Sequence, residues 1–189
     1  VSSSVKEHQV FNKMMLAGVL CNNEDPNAIK GQGDSIELSL MEFAKYLGYN
    51  PVSIKENNPE LLELPFDATR KFMATAHSHG ERFHVYTKGA FESLIIHCDF
   101  IMNATGIISF DTKSEWHAKV NTLADQGLRT LAFAYKETQK LPTSKSIIEG
   151  LTFLGIIGFL DPARNDVKAT IDIYKKAGIK VVMVTGDHP

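Results

Sequence analysis

Apolar residues recur along this chain in two rhythms, steps of three and four in some stretches and steps of two in others, and the change from one to the other marks out its elements. Val10, Met14, Ala17, Gly18 and Cys21 fall on one face of a first helix, which the polar turn Asn22 to Asn27 ends. A loop through Gly31 and Gly33 leads to a second helix. Asp34 or Ser35 caps it, Ile36, Leu40, Phe43 and Leu47 point inward, and Gly48 stops it. Leu61 to Lys71 reads as a pair of strands around Pro65, followed by a strand from Phe72 to Ala76. Ser78-His79-Gly80-Glu81 then turns the chain into a strand over Arg82 to Thr87, where Phe83 and Val85 alternate with His84 and Tyr86.

The rhythm returns to helical at Phe91, Leu94, Ile95 and Cys98. Asp111 is placed to cap a helix carrying Trp116, Val120 and Leu123, which stops at Gly127. In the strand that follows, Arg129, Leu131, Phe133 and Tyr135 share one side. Thr138 to Glu149 is a polar loop, and Leu151 to Leu160 is a nearly continuous apolar run that predicts a strand covered on both faces. Asp161-Pro162 breaks the run. Val167, Ile171 and Tyr174 mark a helix closed by Gly178, and Ile179 to Val184 reads as a second buried strand. This β-α-β order belongs to a doubly wound parallel sheet, with Thr185-Gly186-Asp187 at the carboxyl end of the last strand, where such sheets bind ligands. The expected class is α+β: an antiparallel sheet flanked by helices over residues 1–159, then a partial β-α-β unit over 160–189.

One junction carries candidate chemistry. In Tyr86-Thr87-Lys88-Gly89-Ala90-Phe91 a strand runs into a helix, Gly89 lacks the Cβ that would keep a ligand off the backbone, and Lys88 adds positive charge beside free helix N–H groups. Such a junction suits a nucleotide. Glu37, in the first turn of its helix and off the apolar stripe, reads by itself as a helix-dipole partner. By themselves Phe66 and Leu131 read as core, and Arg129 as a surface charge. His77, His79 and His84 gather about a hairpin without a carboxylate or thiolate partner, a pattern more common for solvated histidines than for a metal site.

Composition narrows the class. The 189 residues are 43% hydrophobic and 22% charged, as in an ordinary globular protein, with room for one good core or two small ones. A formal net charge of −2 argues against a nucleic-acid surface, whereas a free nucleotide needs only a local basic patch. No apolar run is long enough to cross a bilayer, and Val1-Ser2-Ser3-Ser4 does not open like a signal peptide, so a soluble piece with an internal start is expected. Cys21 and Cys98 sit in apolar patterns and read as reduced, buried thiols.

Six motifs stand in one order: Gly33-Asp34-Ser35-Ile36-Glu37, Phe66-Asp67-Ala68-Thr69-Arg70-Lys71, Lys88-Gly89-Ala90, Leu128-Arg129-Thr130-Leu131, Asp161-Pro162-Ala163-Arg164 and Thr185-Gly186-Asp187. Together they resemble the nucleotide-binding domain of P-type cation-transporting ATPases, continuing into part of a haloacid-dehalogenase-like phosphorylation domain, over nearly the whole chain. The resemblance implies that Phe66 stacks on adenine and that Lys71 is its basic partner. It places Glu37 in the adenosine site, Lys88, Gly89 and Ala90 around the nucleotide, Arg129 on the phosphate side and Leu131 as an apolar wall. Asp161, Pro162, Arg164, Thr185, Gly186 and Asp187 would form the hinge and part of the phosphorylation domain. Two departures stand out. Ser35 and Ile36 replace the Pro or Ala and the Thr common in relatives, and Ala68 stands where calcium pumps often carry an arginine, with Arg70 a nearby substitute.

In that family the γ-phosphoryl of ATP passes to an aspartate in an Asp-Lys-Thr-Gly-Thr motif, with Mg²⁺ sharing the charge. No such motif occurs in this sequence. The resemblance therefore implies a fragment that binds ATP or ADP at the cytoplasmic face of a membrane pump without turning ATP over. Its partners would be the phosphorylation, actuator and membrane domains of the parent. Bacterial pumps of the calcium or sodium/potassium type are the nearest in pattern. The strand Ile179 to Val184, short of a neighbour, is expected to pack atypically or to mediate dimerisation. The rivals are a stand-alone phosphatase of the haloacid-dehalogenase type, which needs a nucleophilic aspartate near its start, and an interaction module that binds no ligand.

Overall fold

The computed structural model describes residues 9–26, 34–160, 166–182 and 184. The chain falls into two compact units, residues 1–159 and 160–189.

The first unit is built on a seven-stranded sheet. Helices α1 (Gln9–Leu20), α2 (Ser35–Tyr46) and α3 (Pro51–Asn57) come first, then strands β1 (Glu60–Leu64), β2 (Phe72–His79) and β3 (Arg82–Gly89). A single turn α4 (Phe91–Leu94), strands β4 (Cys98–Asn103) and β5 (Gly106–Ser109), helix α5 (Lys113–Asp125), β6 (Arg129–Thr138) and β7 (Leu151–Phe159) complete it. The order across the sheet is β1-β2-β3-β6-β7-β4-β5, and every neighbouring pair is antiparallel except β4 with β7.

Alternation along the strands sends successive side chains to opposite faces, and each face has its own core. Ala74, Ala76, Val85, Ala132, Ala134 and Phe153 pack with Phe91 and Leu94 of α4 and with Val120 and Trp116 of α5. Met73, Tyr86, Phe133, Tyr135 and Leu154 pack on the other face with Ala17 and Leu20 of α1 and Leu40 of α2. Phe153 and Leu154 thus belong to different cores, so the apolar run of β7 is covered on both faces as its composition predicts. Both cysteines are buried and free. Burial pushes the Cys21 thiol up to about 11 and the Cys98 thiol up to about 12, which keeps both protonated.

Several expectations are corrected. β7 lies in the sheet of the first unit, antiparallel to β6, and does not open a β-α-β unit. In the second unit the helix α6 (Val167–Lys176) forms as expected. Ile179, Lys180, Val181, Val182 and Val184 take no regular structure and are exposed, because a strand exists through ladder bonds to a neighbour and no described residue supplies them. The apolar step from Phe91 to Cys98 is one helical turn and a 3₁₀ turn, after which Cys98 starts β4; the same side chains are buried by a turn and a strand. The strand before Pro65 forms and the one expected after it does not, since residues 65–71 carry no strand and turn at 68–70. Asp111 does not cap α5: its carboxylate accepts from the Ser109 hydroxyl at 3.0 Å, and Thr112 stands at the cap. Asp34, by contrast, caps α2, accepting from the Ile36 and Glu37 N–H groups. The polar loop after β6 is pinned by Ile147, which is fully buried.

The histidines are not a solvated cluster either. His77 is buried; its Nδ1 donates to the Asn58 carbonyl at 2.9 Å, which leaves Nε2 to accept from the Thr75 hydroxyl at 2.8 Å. That arrangement holds a neutral ring, and burial keeps its pKa low. His79 is exposed and stacks on His84 at 4.5 Å.

Candidate functional site

A cavity of about 520 Å³ opens in the first unit where the ends of β2, β3, β6 and β7 meet the start of α2. Glu37, Phe66, Lys71, Lys88, Gly89, Ala90, Arg129 and Leu131, all eight of the nucleotide-side residues singled out in the sequence, line it. Asp34, Ile36, Met73, Thr130 and Phe159 complete the lining.

The sheet explains the convergence. The hairpin between β2 and β3 sets Met73 opposite Lys88, and the next pairing sets Lys88 opposite Phe133. These three side chains share the face on which α1 and α2 pack. Two residues further back along β6 is Leu131, and Arg129 at the start of that strand pairs with Phe159 at the end of β7. Met73 was legible once the turn at Gly80 fixed the hairpin register. Phe159 was legible as the last inward position of the β7 run, two after Ile157.

The charged groups divide in two. Lys88 is buried, and its Nζ meets Glu37 Oε1 at 2.5 Å, with the side chains 6% and 14% exposed. A cation so removed from water needs this partner. Glu37 is itself held: its other oxygen accepts from the Asn23 N–H at 3.0 Å, while Asn22, buried, donates to the carbonyls of Gly18 and Glu37. Lys55 reaches across to the carbonyls of Asn22 and Glu24, and burial lowers its pKa. Lys71 and Arg129, in contrast, are exposed cations at the rim. Phe66 stands beside them with its side chain largely in solvent, 61% exposed.

Two sequence readings of this region change. Lys88 does not serve a helix N-terminus, since α4 is one turn long and the ammonium is spent on Glu37. Gly89 does line the cavity, but the Cβ it lacks would point elsewhere, to 2.3 Å from Phe72 Cβ and 2.5 Å from the Lys71 carbonyl oxygen. Its bareness lets two strands close on each other. Arg70 lies outside the cavity lining and donates from Nη2 to the Pro65 carbonyl. Asp161, Pro162, Arg164, Thr185, Gly186 and Asp187 lie outside the described residues.

A mainly apolar cavity with an aromatic ring at its mouth and two exposed cations at its rim has the chemistry of a site for a flat, anionic ligand. The sequence model for the P-type ATPase cytoplasmic domain N matches residues 10–166. The chain belongs to that family. It is 34% identical to the calcium-transporting ATPase of Bacillus subtilis over 98% of this chain and 22% of that protein. To the cation-transporting ATPase pma1 of Synechocystis it is 36% identical over 95% of this chain and 20% of the relative. The human potassium-transporting ATPase alpha chain 2 is 31% identical over 83% of this chain and 17% of its own length. The chain thus spans about a fifth of the length of the curated relatives it matches. As the N domain of a P-type cation-transporting ATPase, it is a nucleotide-binding domain, and no helix among its described residues is long and apolar enough to cross a membrane.

Proposed function

We propose that the cavity holds the adenosine end of ATP or ADP, with adenine stacked on Phe66 against the apolar wall of Leu131. Glu37 and Lys88 form the polar back of the pocket, the Gly89-Ala90 backbone its side, and Lys71 and Arg129 face the phosphates. The observation that carries this reading is the convergence of eight residues, spread from position 37 to 131, on one cavity of about 520 Å³, a size typical of small-molecule sites, roughly 300–1,000 Å³. In the intact pump, of the calcium or sodium/potassium type, this domain would deliver the γ-phosphate to an aspartate that this sequence does not contain, and so drive a cation across the membrane. Among the described residues no group of three or more His, Cys, Asp or Glu side chains is placed to hold a metal.

Titration of the 189-residue chain with fluorescently labelled ATP tests the assignment. Base-on-aromatic stacking contributes about 1–3 kcal/mol, so Phe66→Ala should weaken binding by roughly 5- to 150-fold. Superimposable isotherms for wild type and variant would remove Phe66 from the site. No response to ATP in either protein would favour a module without a ligand.

A further inference from the structure

Phe66 and Lys71 are two parts of the proposed site that no core packing holds. Phe66 is largely exposed and belongs to neither core cluster, and Lys71 is exposed. What fixes them is the turn between them. Asp67 Oδ1 accepts from the Thr69 N–H at 2.9 Å and the Arg70 N–H at 3.0 Å, and the Asp67 carbonyl accepts from the Lys71 N–H at 2.6 Å. Arg70 Nη2 closes the other side on the Pro65 carbonyl at 2.9 Å. The turn delivers Lys71 at φ +60°, a left-handed conformation that a residue with a side chain adopts only when its surroundings impose it. There the Lys71 carbonyl accepts from the Ala90 N–H at 2.8 Å, tying the turn to the end of β3. The backbone donors also hold the Asp67 carboxyl below its usual range, as they should if they bind its ionised form. Asp67 itself does not line the cavity.

We propose that Asp67 is a positioning residue of the nucleotide site: its carboxylate locks the 67–70 turn that presents the Phe66 ring and the Lys71 ammonium to the ligand. This rests on the nucleotide reading given above. Asp67 works as a hydrogen-bond acceptor and not through its charge, which would repel a phosphate.

ATP binding to the full chain is compared for wild type, Asp67→Ala, Asp67→Asn, Phe66→Ala and the Phe66→Ala/Asp67→Ala pair, with urea midpoints and amide hydrogen exchange at Thr69 and Arg70. Freeing the turn obliges the ligand to re-freeze about one residue of backbone, so Asp67→Ala should weaken ATP about tenfold. It should also speed exchange at both amides and leave the midpoint near wild type. Asp67→Asn keeps an acceptor oxygen and should restore both affinity and protection. On the Phe66→Ala background the Asp67→Ala loss should shrink to about threefold or less, because the ring it positions is gone. Wild-type affinity in Asp67→Ala, with Phe66→Ala still weakened, overturns the inference and leaves the nucleotide reading standing. Tighter binding in both Asp67 variants assigns the effect to charge and overturns it too. Global unfolding of Asp67→Ala shows that the turn is not a local device. Unchanged affinity in Phe66→Ala removes the nucleotide reading and this inference with it.

Discussion

Gly89 separates two explanations of a Lys-Gly-Ala junction, because a methyl group added there meets protein and not ligand. In Gly89→Ala the new Cβ would stand 2.3 Å from Phe72 Cβ and 2.5 Å from both Phe72 Cα and the Lys71 carbonyl oxygen. Carbon atoms in contact prefer about 3.5–4.0 Å, so β2 and β3 must part by about 1 Å. The atoms in the way are backbone or Cβ, with no flexible end to swing aside, and Phe72 and Gly89 are ladder partners. Overpacking of this kind costs about 1–3 kcal/mol, and this case belongs at the upper end. For a chain of this size about 3 kcal/mol lowers Tm by roughly 6–12 °C. Gly158→Ala is the matched control, since the nearest atoms its Cβ would meet belong to the Leu128 side chain, at 3.1 Å and beyond, and it should cost about 1 kcal/mol or less. Urea and thermal melts followed by circular dichroism read both variants, and ATP titration below the melting range reads binding. A Gly89→Ala protein that melts like wild type yet no longer binds ATP would refute this reasoning, because the missing Cβ would then be facing the ligand.

Lys88→Met alone should destabilise the fold by about 3 kcal/mol, because it leaves Glu37 half-buried without its counter-charge, while Lys88→Met with Glu37→Gln should recover most of that loss; equal denaturation midpoints for the single and double variants would contradict the pairing. His84 gives a pH dependence: burial, with Lys13, His79 and His77 nearby and only Glu137 opposing them, pushes its pKa down from 6.5 to about 4. The folded state therefore disfavours the charged ring. The stabilisation is complete above about pH 6.5 and is lost as pH falls toward 4, by about 1–2 kcal/mol once solvent screening is allowed for. Urea midpoints of wild type and His84→Gln between pH 7 and pH 4.5 check it, the variant showing the shallower slope.

Elements whose apolar period matched their length were legible in the sequence. α1, α2, β2, β3, α5 and β6 stand where alternation or helical spacing put them, since each buries one face on the sheet or from it. The misreadings share a cause: a residue pattern has no knowledge of its hydrogen-bond partners. Leu151 to Leu160 has the composition of a parallel strand, but its neighbour is β6, which runs against it. Ile179 to Val184 has equal apolar character and forms no strand among the described residues, where no ladder is offered. Phe91 to Cys98 satisfies helical spacing with only one turn of α-helix, because Cys98 is drawn into pairing with Leu151.

The site shows the same division between identity and arrangement. Its residues could be named from ordered motifs, but their duties inside the protein could not, because those duties depend on what each one faces. Lys88, expected to wait for phosphate at a helix end, is already paired with Glu37 in the interior. A ligand meets that pair as a neutral, polar back wall, which leaves the net positive charge of the site to the exposed Lys71 and Arg129. In the proposed binding mode those two exposed cations are the groups that meet the phosphates. A ligand entering phosphates first would have to desolvate them against a carboxylate whose counter-charge is already taken, at a cost of several kcal/mol per buried ion.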